Sequence, residues 1–301
     1  MTMSNETEFR AGFVALAGLP NVGKSTLLNH MVGEKVAIVS SKPQTTRHRI
    51  LGVRHLPDAQ IIFVDTPGMH ARTPREMNRY LNRTASSALA DVDVIVFMAE
   101  GLRWTDDDEL ALERAKQAGP PLLLVVNKVD RIGDKRLLLP HLAELAKKAD
   151  FVELIPLSVH RQLNIDALEQ ALLKLLPPSP PLFPRDQVTD RSDRFRAAEL
   201  VREQLMRTLG QEVPYATTVE IEAFEAKEKL VRVSAVIWVE RQGQKAIVIG
   251  RDGRQLKRIG QAARLEMERL FGRKVYLQLW VKVREDWSDD TRALRTLGYD
   301  E

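Results

Sequence analysis

The chain has no cysteine. Disulfides, thiolate nucleophiles and thiolate-bound metal centres are therefore excluded. Histidine is scarce as well: six are scattered over 301 residues, and none forms the i, i+4 pair of a helical zinc site. No stretch approaches the roughly 18 uncharged apolar residues of a membrane span. Met1 to Glu8 is polar and lacks the apolar core of a secretory signal. We expect a cytoplasmic protein from this.

Hydrophobic residues make up 44% of the chain and charged residues 29%, a balance that suits a folded protein long enough for two cores. The net charge is only +4, yet it is unevenly placed. From Arg191 onward there are 22 basic and 18 acidic residues, while the first 190 residues balance. Lys245 to Lys274 alone holds nine basic and three acidic residues. A local basic concentration suits a polyanion partner; a solvated helix face is the plainer alternative.

Short apolar runs alternate with helical patterns through the first half. Strands are expected at Gly12–Ala17, Ile61–Asp65, Val92–Ala99, Leu122–Asn127 and Val152–Leu157, with Ile50–Leu56 as an antiparallel edge. Helices are expected at Lys24–Val32, Arg75–Ala90, Asp106–Ala118, Lys135–Lys148 and Ile165–Leu176. This alternation implies a doubly wound, mostly parallel α/β sheet, with ligands at the carboxyl ends of its strands. Five prolines between Pro177 and Pro184 then predict a stiff, extended linker. Beyond it the pattern reads αββααβ: a helix to Leu209, strands Thr217–Phe224 and Leu230–Glu240, helices Gln244–Ile249 and Arg254–Phe271, and a strand Lys274–Arg284. That predicts a smaller α+β domain, followed by a polar tail from Asp286 with a short helix around Thr291–Leu297. The expected domains are thus 8–176, a linker at 177–190, and 191–301.

The most specific signal is Gly18-Leu19-Pro20-Asn21-Val22-Gly23-Lys24-Ser25, placed between the first strand and the first helix. Gly18 and Gly23 permit backbone shapes that aim N–H groups at phosphate oxygens. Lys24 can reach the β and γ phosphates, and the Ser25 hydroxyl can sit on Mg²⁺. The helix N-terminus adds positive potential. Nucleotide contacts are assigned to Gly18, Asn21, Val22, Gly23, Lys24, Ser25 and Thr26.

Asp65-Thr66-Pro67-Gly68 ends a later strand. Asp65 can hold Mg²⁺ through water, and the Gly68 amide can meet a γ phosphate. Asn127-Lys128-Val129-Asp130 ends the next strand but one. The Asp130 carboxylate can accept from both guanine N1–H and its amino group, a donor pair adenine lacks. Lys128 can lie along the base, and Asn127 can tie its loop to the phosphate loop.

In order and spacing these elements resemble the translation-factor class of GTPases. The resemblance implies a switch threonine in Gln44-Thr45-Thr46-Arg47, for which we take Thr46 over Thr45. It closes over Mg²⁺ and the γ phosphate, so the metal ligands are Ser25, Thr46 and Asp65. Ser158-Val159 replaces the usual Ser-Ala, and a backbone N–H contact to guanine survives that change. Met69 follows Gly68 where a water-orienting Gln is common, which implies slow intrinsic hydrolysis. Asn21 matches a residue that binds K⁺ in related GTPases; the alternative is an Asn that only stabilises the loop. The catalytic set is Lys24, Thr46, Gly68 and Asn21.

Val248 to Gly260, with Gly250-Arg251-Asp252-Gly253 at its centre, resembles the signature of KH domains. Such domains take about four single-stranded nucleotides along their groove. RNA contacts are expected from Ile249, Gly250, Arg251, Asp252, Gly253, Arg254, Lys257 and Arg258. A type II KH domain behind a GTPase domain, together with Glu100-Gly101-x-Arg103-Trp104-Thr105 and Leu279-Trp280-Val281-Lys282-Val283, is similar to the Era family of bacterial ribosome-assembly GTPases. The family implies GTP hydrolysis, binding to the 3′ end of 16S ribosomal RNA on the 30S subunit, and a peripheral membrane contact. We expect a monomer. A constitutive RNA-binding protein with a structural GTP site is the rival reading, and intact Lys24, Ser25, Asp65 and Asp130 speak against it.

Overall fold

A computed structural model describes residues 8–68, 76–210 and 212–299. The chain forms two compact units: Met1–Ala37, Thr46–Arg72 and Leu81–Asp190 make the first, and Ile38–Thr45, Thr73–Tyr80 and Arg191–Glu301 the second, each taken over its described residues.

The first unit is built on a six-stranded sheet in the order β2-β3-β1-β4-β5-β6. Its strands are β1 (Arg10–Gly18), β2 (Ile50–His55), β3 (Ala59–Asp65), β4 (Val94–Glu100), β5 (Leu122–Asn127) and β6 (Glu153–Pro156). Only β2 runs antiparallel, at the edge. Alternate residues feed two cores. Val14, Leu16, Ile61, Phe63, Val94, Val96, Leu123 and Val125 pack with α1 (Lys24–Val32) and α5 (Ile165–Leu175). Ala15, Ala17, Ile95, Phe97, Leu124 and Val126 pack with α3 (Asp106–Ala118) and with Ala85 of α2 (Glu76–Ser87). Both faces are therefore dry, which explains the unbroken apolar runs. Each large side chain so buried stabilises the sheet by about 1.5–3 kcal/mol.

In the first unit one element differs from expectation, and another is tied down more firmly than expected. The helix sought over Lys135–Lys148 is a 3-10 turn, Lys135–Leu137, followed by α4 (Leu138–Leu145). The proline-rich stretch is extended but not loose. Pro177 and Phe9 carbonyls accept from the Ala11 and Ser179 amides at 3.3 and 3.0 Å. Farther on, the buried Gln60 carboxamide accepts from the Leu182 and Phe183 amides at 2.8 and 3.1 Å. Val188 and Thr189 then bond to Val53 and Leu51 of β2. Proline removes donors but keeps acceptors, so the strap docks through its carbonyls and its few free amides.

The second unit carries a three-stranded sheet, β7 (Thr217–Ala226), β8 (Leu230–Val239) and β9 (Lys274–Val283). β7 and β8 pair antiparallel, β8 and β9 parallel. The parallel pair needs a crossover, supplied by α7 (Gln242–Ile249) and α8 (Arg254–Phe271). α6 (Asp193–Thr208), capped by Ser192, packs Leu200, Val201 and Leu205 into the same core as Val233, Ile237, Ile259, Ala263 and Met267. The tail read as polar is instead anchored. Trp287 is fully buried, donates to the Ala216 carbonyl at 3.2 Å and stacks on Tyr299. One buried indole holds a segment whose composition otherwise reads as solvated, because burial of a single large aromatic outweighs several exposed charges. α9 (Thr291–Thr296) lies in this tail.

Candidate functional site

In the first unit the carboxyl ends of β1, β3 and β5 bring the first three motifs together. The loop leaves β1 with Gly18 at φ +128°, and a Cβ there would meet the Met98 carbonyl oxygen at 2.3 Å. Gly23, at φ +114°, would likewise strike the Asn127 amide at 2.3 Å. Gly68 stands so close to Pro20 that a Cβ would fall 2.7 Å from its nitrogen. Only glycine permits the loop to be enclosed in this way.

Lys24 is buried at the loop's centre and donates to the Gly18 and Leu19 carbonyls at 2.9 Å each. Desolvation lowers its pKa to about 8, partly offset by the Asp65 charge. Asp65 is fully buried, and desolvation raises its pKa to about 6 against hydrogen bonds from Ser25 and Thr46 and the charge of Lys24. Ser25 Oγ donates to Asp65 Oδ2 at 2.6 Å and lies 2.8 Å from Thr46 Oγ1. Thr46 Oγ1 in turn donates to Asp65 Oδ2 at 3.3 Å, while Asp65 Oδ1 is buried with no hydrogen-bond partner. Two hydroxyls gathered on one carboxylate, whose second oxygen is orphaned, fit a hard cation that takes one carboxylate, hydroxyls and phosphate oxygens. The structure brings Thr46 here and not Thr45, whose hydroxyl donates to the Lys42 carbonyl.

At the end of β5, Asn127 Nδ2 donates to the Val22 carbonyl at 2.8 Å, and its Oδ1 accepts from the Val159 amide at 3.3 Å. Lys128, at φ +60°, donates to the Asn21 carbonyl at 2.6 Å and pairs with Glu100 at 2.8 Å. Ser158 Oγ donates to Asp130 Oδ1 at 2.5 Å and holds that carboxyl below its usual pKa. The amides of Ser158 and Val159 are both engaged within the protein, the first with Leu163. The base contact expected from them is therefore not free in this arrangement. Val22 is buried and Thr26 half-buried beside the loop. Met69 lies outside the described residues. Glu100 was not anticipated; its position at a strand's carboxyl end was the available signal.

In the second unit α7 ends at Gly250 (φ +71°), and the chain turns through Asp252 (φ +53°) and Gly253 (φ +72°) into α8. A Cβ on Gly250 would stand 2.5 Å from that of Gln255, so the first glycine is needed for space; the second, with nothing within 4 Å, is needed for its backbone angle. Gly253 caps α8 with no side-chain bond, and no acid occupies the helix's first turn. Its amides can therefore meet an anion. A cleft of 470 Å³ runs from this turn to β9, lined by Gly253, Leu256, Lys257, Gly260, Arg264 and Leu279 among others. Of the residues expected here, Gly253 and Lys257 form its wall. Arg251, Asp252, Arg254 and Arg258 are exposed outside it, and Ile249 is half-buried against the core. Gly260 and Leu279 were missed, because their closeness, 3.2 Å from a Cβ to Leu279, arises only when α8 crosses β9.

Comparison with known proteins bears on both units. Residues 13–128 match a family described as 50S ribosome-binding GTPase, and residues 212–288 match the KH domain. The chain is 54% identical to the GTPase Era of Marinobacter nauticus over 298 residues, covering 99% of this chain and 98% of that one. It is 54% identical to the GTPase Era of Stenotrophomonas maltophilia over 298 residues, 99% of this chain and 100% of the relative. A crystal structure of Era with MgGDPNP and nucleotides 1506–1542 of 16S ribosomal RNA superposes with a TM-score of 0.93 at 40% identity, covering 97% of this chain and all of that one. An Aquifex aeolicus Era variant bound to GDP and AlF4⁻ superposes equally well at the same identity and coverage. With both units matched along nearly the whole length, the chain belongs to the Era family of GTPases.

Proposed function

We propose that this GTPase is a Mg²⁺-dependent switch that binds the 3′ end of 16S ribosomal RNA through its KH unit and acts in assembly of the 30S subunit. The oxygen cluster of Ser25, Thr46 and Asp65 beside buried Lys24 carries the nucleotide half of this reading. The cleft below Gly253 supports the RNA half, as does the relative captured with MgGDPNP and a 16S fragment.

Lys24 supplies a positive charge to the β and γ phosphates, and their arrival restores its full protonation. Ser25, Thr46 and Asp65 would hold Mg²⁺, which would supply neutralisation of the charge on the phosphate oxygens. The Gly68 amide meets the γ phosphate, and the loop amides from Gly18 to Thr26 cradle the rest. Asp130, fixed by the Ser158 hydroxyl, accepts from guanine. Without a Gln after Gly68, water is poorly oriented and hydrolysis is slow. Asn21 would be the residue to hold a K⁺ ion, which would supply positive charge to the phosphates. The protein acts as a cytoplasmic monomer that touches the membrane only peripherally; among the described residues, no helix is long and apolar enough to cross one.

Base recognition offers a direct test. Asp130→Asn swaps an acceptor for a donor, which suits the C2 carbonyl of xanthine. GTP affinity is expected to fall about 100-fold or more while XTP binding appears, read by equilibrium titration. Unchanged GTP affinity would refute the assignment. Equal hydrolysis rates in K⁺ and Na⁺ would remove the role of Asn21.

A further inference from the structure

The segment leading into Thr46 belongs to the KH unit, where α6 grips it along its length. Glu203, fully buried, accepts from the Val39 amide at 3.0 Å. Arg207 donates to the Val39 carbonyl at 3.2 Å and pairs with Glu203 at 2.9 Å. Lys42 Nζ donates to the Leu209 carbonyl. At the segment's end, Arg202 donates through Nη2 to the Thr45 carbonyl.

Arg202 stands out in this row. It is 2% exposed and held by both oxygens of Glu199, Nε at 2.7 Å and Nη2 at 2.6 Å, one turn away on α6. Its Nη1 is buried without a partner. A buried ion pair with an unsatisfied donor is a poor way to stabilise a helix, since apolar side chains of like volume usually serve as well. What the guanidinium provides that a methionine could not is a directed hydrogen bond to one backbone carbonyl. That carbonyl is the acceptor of the peptide bond joining Thr45 to Thr46, so fixing it restricts the backbone from which the Thr46 hydroxyl reaches Asp65. α6 also touches the other functional element of its unit: the Thr208 carbonyl lies 3.5 Å from Nε2 of Gln255, in the first turn of α8. The Cβ of Gln255 is the atom that only a glycine at 250 can clear.

We propose that Arg202 is a positioning residue for GTP hydrolysis: it sets the Thr45–Thr46 peptide, and RNA in the α8 cleft acts on hydrolysis through α6 and this contact. The inference rests on Thr46 as the switch threonine. Arg202 touches no reacting atom, so its loss alters turnover and leaves nucleotide binding intact.

The experiment compares single-turnover and steady-state GTP hydrolysis in Arg202→Met, Arg202→Lys, the Glu199→Gln/Arg202→Met double variant and Thr46→Ala, with and without an RNA oligonucleotide. The double variant removes both charges and avoids leaving a buried carboxylate unpaired. Turnover is expected to fall about tenfold in Arg202→Met and in the double variant. KM for GTP and RNA affinity by anisotropy should stay within about twofold of wild type, and stimulation by RNA should vanish. Arg202→Lys, which keeps a charged donor, should recover part of the rate; a purely structural role predicts no such split between kcat and KM. Wild-type turnover and RNA stimulation in Arg202→Met or in the folded double variant, with hydrolysis abolished in Thr46→Ala, would overturn the role of Arg202 alone. Unaltered hydrolysis in Thr46→Ala would overturn the reading of Thr46 and this inference with it.

Discussion

Two glycine loops, Gly18–Gly23 and Gly250–Gly253, each deliver a chain to the N-terminus of a helix, and each belongs to a unit with its own core. Their surroundings differ. The first is enclosed: Lys24 and Asp65 are buried, each shifts the other's pKa, and Asp65 is hydrogen-bonded to Ser25 and Thr46. The second is open: Arg251, Arg254, Lys257 and Arg258 are exposed. A site that stabilises charge during phosphoryl transfer needs few groups, desolvated and fixed in advance. A site that follows an RNA backbone needs positive potential over a length of surface, and can leave its side chains in water. Sequence charge reflects the same division, with the whole net excess after Arg191.

The contrast can be broken at its strongest point by Lys24→Ala. Hydrolysis should fall about 100-fold or more, because a preorganised cation is lost from an enclosed site. RNA affinity of the nucleotide-free protein should be unchanged. Comparable loss of RNA binding would mean that the two loops are not separate instruments.

A smaller effect sharpens the comparison through pH. Asp65, with its pKa raised to about 6, must lose its proton to hold a cation, so activity falls as pH drops below 6. Lys24, lowered to about 8, must keep its proton, so activity falls as pH rises above 8. A bell-shaped kcat/KM between these limits is expected, with roughly tenfold losses one unit outside each limb. For folding the sign is opposite at the acid limb. A carboxyl whose pKa is raised in the folded state costs stability while ionised, and that cost is relieved as pH falls from about 6 toward its ordinary value of 3.8. RNA affinity should not follow this profile, because neither Lys24 nor Asp65 lines the cleft below Gly253. A kcat/KM that is level across both limbs would show that the buried pair does not govern the reaction.

The sequence showed most of the fold because most of it is local. β5 and α3 are found at their expected bounds, since a dry parallel strand reads as Leu-Leu-Leu-Val-Val and a capping box at Thr105 marks where α3 begins. The order αββααβ was equally plain, and so was the edge position of β2. Contacts between distant parts were not. Trp287 gives no sign in its polar neighbourhood that it is fully buried. Pro177–Pro184 signals stiffness but not what it docks on. Residues 38–45 sit between two nucleotide motifs in sequence, yet join the other unit through partners such as Arg202, 157 positions from Thr45. Periodicity reports the face an element buries, and carries no information about which distant side chain will meet a given carbonyl.

The central claim is that one unit's open, basic loop controls chemistry in the other unit's enclosed one. It is tested most directly by GTP hydrolysis in K⁺ with and without an oligonucleotide from the 16S 3′ end, measured in wild type and in Gly253→Asp. The substitution places a negative, β-carbon-bearing residue at a φ of +72° where phosphate is expected. The account predicts stimulation by RNA in the wild type and its loss in the variant, at an unchanged rate without RNA. Hydrolysis indifferent to RNA in the wild type, or equally stimulated in the variant, would contradict it.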